Sequence, residues 1–222
     1  MNFFNLLQSL DELLYEVMSW LVFYPVTLWR VLVHPLKMMD YSDVEQGDVS
    51  DQQYTDTLSP PLFLLLSLIL VHAAEIALVG TDAVIASKVG LSAFVSNNTD
   101  LIILRIVLYS LFPVMMATRL VRARGLQVDR VTLRAPFYSQ CYVAAVLAMM
   151  LGTAVILIKQ GHDWSVLAGG ALALFGLLWF GFLQTAWFNQ HLQCGRLKAF
   201  GHASRAMVES LAAMFILSSL FS

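Results

Sequence analysis

Apolar runs of about 20 residues, the length that crosses a bilayer, constrain this chain more than any other feature. Short stretches between them carry nearly all of its charge. Only 13% of the 222 residues are charged and 59% are apolar, against roughly 25% charged in a soluble domain. The pattern excludes an ordinary soluble enzyme, a nucleic-acid binder and a disulfide-stapled secreted domain. It predicts an all-α polytopic membrane bundle.

The runs place five spans at 60–80, 101–119, 136–158, 164–187 and 204–221. Prolines open the first (Pro60, Pro61) and the third (Pro136), since a helix start does not miss the proline N–H. The short loop 159–163 predicts that spans three and four form an antiparallel hairpin. Residues 58–222 thus read as a five-helix transmembrane domain.

Residues 1–39 read as helices lying on the membrane. Leu6, Leu10, Leu13, Val17 and Leu21 recur at helical spacing, with Gln8, Asp11, Glu12 and Ser19 on another face. Pro25 is expected to break this segment, leaving a second short helix over 26–39. A span across 13–33 is the competing reading. Residues 40–57 carry six acids and read as a solvated acidic linker, because their spacing does not match an EF-hand calcium loop. Basic residues do not precede Arg30, so a cleavable signal peptide is not expected.

Ten basic residues fall in the N-terminal region and the loops 119–135 and 188–205, against only Lys88 and Lys159 on the opposite side. This bias predicts a cytoplasmic N-terminus and an outer C-terminus in the cell (inner) membrane. Cys141 and Cys194 then face a reducing compartment, and neither has metal-ligand spacing. The sequon at Asn97-Asn98-Thr99 reads as chance. The arginines of 119–134 could contact anionic headgroups, but they already satisfy the topology rule and need no further purpose.

A charge inside the hydrocarbon costs at least a few kcal/mol and asks for a partner. Glu75 and Arg105 sit at similar depth on neighbouring spans. His72 and Tyr109 each lie one turn deeper on the same face as their charged neighbour. His72, Glu75, Arg105 and Tyr109 therefore form a candidate intramembrane polar cluster. It either locks spans one and two together or lines a path for a proton or small anion. Such a path would have to continue through Gln184 or Glu209, and Glu209 is expected to snorkel to the headgroups or pair with Arg205. His191 and His202 read as isolated loop histidines. The small residues of 164–187, with Gly169, Gly170, Gly176 and Gly181 among them, suit packing within the hairpin or homo-oligomerisation through that span. Nucleophile elbows, phosphate loops and zinc motifs are absent from the sequence. No catalytic residue, cofactor or metal is expected.

Asp56-Thr57-Leu58-Ser59-Pro60-Pro61 opens the first span, and Pro136-Phe137-Tyr138-Ser139-Gln140-Cys141-Tyr142 opens a later one. In placement these segments, with five spans and an acidic N-terminal stretch, resemble the Yip1 family, although the later segment lacks that family's Gly. The resemblance implies a membrane-embedded scaffold or adaptor without enzyme activity. Its partners would be the lipid bilayer and other membrane proteins, and not nucleic acid. The alternative is a small permease using the His/Glu/Arg cluster.

Overall fold

The computed structural model describes residues 3–49, 52–80 and 98–219. They form seven helices: α1 (Phe3–Val33), α2 (Pro35–Glu45), α3 (Pro60–Val79), α4 (Asn98–Ala123), α5 (Arg130–Lys159), α6 (Asp163–Leu192) and α7 (Arg196–Ser219). Five stretches are long and apolar enough to cross a membrane: Asp11–Val33, Pro60–Val79, Thr99–Ala123, Arg130–Lys159 and Asp163–Leu192. The chain is an all-α multi-pass membrane protein.

These five are not the same five that the sequence suggested. Asp11–Val33 is among them. The described part of α7 is not, because Arg196, Lys198, Arg205 and Glu209 dilute its apolar content. The expected break at Pro25 is also absent. Pro25 lies inside α1 on an exposed face, where it removes one ladder bond without ending the helix. The break comes at His34, which leaves the helical region (φ −135°, ψ 58°) because Pro35 follows it. Pro35 then starts α2.

The acidic linker is likewise more ordered than expected, since residues 40–45 complete α2. Pro136 sits inside α5 and does not open it. The true start is Asp129, whose carboxylate accepts from the backbone N–H groups of Val131 (2.9 Å) and Thr132 (2.8 Å). Those bonds hold the Asp129 carboxyl below its usual range. Lys88 and Asn97 lie outside the described residues, as do the last residues of the fifth expected span.

α5 is the hub, packed on α2, α3, α4 and α6. On one side Val143, Ala144 and Leu147 meet Phe112 and Met116 of α4, Phe180 and Trp187 of α6, and Ala203 of α7. On another, Cys141, Tyr142, Ala145 and Ala148 meet Phe63, Leu64 and Leu68 of α3 and Val31 of α1. Small residues on α5 let the helices close in, as lipid-embedded packing requires. α1 touches the rest chiefly through its C-terminal half, and Leu13, Leu14, Met18 and Leu21 stay exposed.

Candidate functional site

Glu75 lies near the end of α3 with its side chain only 4% exposed, and two cations share it. Arg105 Nη2 of α4 is 2.5 Å from Oε2. Lys159 Nζ, at the end of α5, donates to Oε1 at 2.5 Å. His72 is buried one turn earlier on α3. Tyr109, half-buried on α4, lies within the field of both Arg105 and Glu75. The structure therefore brings the four sequence candidates to one place and adds Lys159. Lys159 reads in the sequence as a loop charge. Its position becomes legible once α3 and α5 are seen to run in the same direction, which puts both ends at one level.

One carboxylate between a guanidinium and an ammonium donor is a charge-assisted arrangement. It lowers the cost of holding each ion away from water. Arg105 and Lys159 keep some exposure, at 17% and 32% of their side chains, so one end of the cluster can be reached from outside.

The second buried polar group is a reciprocal amide pair. Gln140 Nε2 donates to Gln184 Oε1 at 3.0 Å, and Gln184 Nε2 returns a bond to Gln140 Oε1 at 2.5 Å. Lys159 and Gln140 share α5, and at 1.5 Å per residue they stand roughly 28 Å apart along it. The intervening layer is mostly apolar: Leu64, Leu68, Ala145 and Ala148 are buried there, and one hydroxyl pair, Ser67 with Tyr24 at 3.0 Å, lies among them. Gly152 closes against Val71 with no room for a Cβ.

A third network ties the segment before α3 to the bundle. Tyr142 of α5 donates its hydroxyl to Leu58 O at 2.7 Å. Leu58 N donates to Thr27 Oγ1 of α1 at 3.0 Å. Asp56 accepts from Arg30 and from the Tyr41 hydroxyl, each at 2.7 Å. Tyr54 adopts a left-handed φ of 56°, a costly conformation for a tyrosine. Its N–H donates to the Glu45 carboxylate, and its hydroxyl is held by Ser42 and Gln46. The acids of 40–57 are thus largely structural. Asp40 and Asp43 face His191 at 3.8 and 3.6 Å, and Gln190 donates to Asp40. Arg119 Nε donates to His202 Nδ1 at 3.0 Å. Burial first, then the nearby Arg119 and Arg205, push the His202 pKa down. Neither histidine is isolated, contrary to the reading from sequence. Arg205 and Glu209 pair at 2.8 Å. Among the described residues, no three His, Cys, Asp or Glu side chains converge as a metal would need.

Arg30, donating to Asp56, holds that carboxyl below the usual carboxylate range, with Tyr41 adding to the effect and partial burial opposing it. A depressed folded pKa means the link is fully present above the unfolded value of about 3.9 and is lost as pH falls through the lower folded value. Amide exchange in 52–58 is therefore expected to speed up below that point, beyond the intrinsic pH effect. Asp56→Asn should show fast exchange at neutral pH and no such step. An equal profile in both proteins would contradict the role given to Asp56.

The chain matches no known protein family, and neither a curated protein nor a solved structure is significantly similar to it.

Proposed function

We propose that this multi-pass membrane protein is a non-enzymatic scaffold or adaptor of the inner membrane, with its arginine-rich loops in the cytoplasm. In this reading the Glu75 cluster is a lock that joins α3, α4 and α5. The observation that carries it is the mostly apolar layer between that cluster and the Gln140–Gln184 pair. A proton or anion path needs a chain of polar stations through the hydrocarbon, and this layer offers a single Ser67–Tyr24 hydroxyl pair among Leu, Ala and a Gly–Val contact. The network of Thr27, Leu58, Asp56 and Tyr142 gives the other half of the reading. It fixes a folded platform on the arginine-rich end of the bundle, where partners could dock. Tyr142 and Leu58 belong to the two segments in which the Yip1-like layout was noted, and their hydrogen bond supports treating those segments as one unit.

The permease reading rests on the partial exposure of Arg105 and Lys159, which leaves the cluster open to a solute from one end. Proteoliposome flux separates the two. The scaffold reading expects proton and small-anion flux no greater than in empty vesicles, with or without Glu75→Gln. Flux in the wild type that disappears in a folded Glu75→Gln protein would establish the permease instead.

A further inference from the structure

We propose that a groove between α4 and α5 binds one anionic phospholipid. The groove encloses about 340 Å³. Its walls are hydrocarbon, from Val114 and Ala117 of α4 and Leu133 and Phe137 of α5. Arg130 and Arg134 stand beside it on the first two turns of α5, both exposed. Among the described residues, neither guanidinium forms an ion pair with a carboxylate. Asp129, next to Arg130, has its carboxylate engaged by the backbone of Val131 and Thr132. The Arg134 guanidinium lies 5.8 Å from the Tyr138 ring centre, a cation–π contact that keeps it over the groove.

The positive-inside rule explains arginines at this end of the bundle, but it does not require an apolar slot beneath them. Phe137 is seven residues past Arg130, roughly 10 Å deeper along the helix. The occupant that fits has an anion at one end and alkyl chain at the other, at the depth where a bilayer makes that change. A phosphodiester can accept from two guanidinium groups, which suit its planar, bidentate geometry better than ammonium does. An acyl chain fills the slot below. A headgroup without its own cation is favoured, because choline would meet the same two positive charges.

Native mass spectrometry of the full chain in detergent tests this, with phosphatidylglycerol and phosphatidylcholine of identical chains as probes. Phosphatidylglycerol should be retained in preference to phosphatidylcholine. Arg130→Gln with Arg134→Gln should weaken its binding roughly thirtyfold, as expected for the loss of two interfacial cations. Arg122→Gln with Arg124→Gln removes the same net charge outside the groove and should leave binding within about threefold, as expected where neither lost cation touches the lipid. Val114→Trp keeps every arginine but fills the slot, at a position already 39% exposed, and should also displace the lipid. Equal retention of both lipids, or equal losses from the two arginine double variants, would overturn the site. Undiminished binding in a folded Val114→Trp protein would overturn the acyl slot.

Discussion

Glu75→Gln is expected to destabilise the protein in detergent by about 3 kcal/mol, the scale on which removing one partner from a buried ion pair acts. The variant takes away the carboxylate that Arg105 and Lys159 share, leaving Arg105 mostly buried and Lys159 partly exposed. The cost belongs to the ions left behind, so removing them should recover most of it. Glu75→Gln with Arg105→Gln should recover most of it, because Arg105 is the more buried cation and the partly exposed Lys159 can turn its ammonium outward. The triple variant that adds Lys159→Gln should return close to wild-type stability, since three amides can hydrogen-bond one another. Chemical denaturation in micelles measures each step. A Glu75→Gln protein as stable as the wild type would remove the lock. Full recovery in the double variant would show that Lys159 contributes nothing.

Gly169→Leu should damage the bundle far more than the same change one residue later. A Cβ on Gly169 would stand 2.7 Å from Ala154 O and 2.8 Å from Ile158 Cγ1. The first neighbour is backbone and cannot yield, so α5 and α6 must separate. Overpacking of this kind costs about 1–3 kcal/mol or more. At Gly170 a Cβ meets nothing within 4 Å, and Gly170→Leu should leave the melting temperature nearly unchanged. Thermal unfolding of the two variants side by side decides the matter. Equal losses would mean that the hairpin packing is wrong, or that Gly170 also faces a neighbour, such as a second copy of the chain. The glycines of α6 thus divide by face: Gly169 and Gly176 meet α5, and Gly181 approaches Met207 of α7.

Prolines show how local rules mislead here. Pro60 and Pro35 do begin helices, yet Pro25, Pro113 and Pro136 lie inside them. One missing N–H is tolerated when the turns on both sides are held by packing or, for Pro136, by the Asp129 cap upstream. The acids of 40–57 misled in the other direction. Their density suggested a free linker, while Arg30 and Tyr41, which hold Asp56, and Tyr54, which holds Glu45, come from positions that no local pattern connects.

The sequence alone determined that this chain is helical and belongs in lipid, because apolar length and the 3.6-residue period are properties of one segment at a time. It also put Glu75 and Arg105 within reach, since both lie close to the same helix ends. Only the tertiary structure decided that Lys159 completes their cluster, that Gln140 and Gln184 satisfy each other, and that Arg130 and Arg134 overhang an apolar slot. Each of these depends on how one helix is rotated and tilted against another. That orientation is set by the summed packing of many small residues, and no single stretch of sequence carries it.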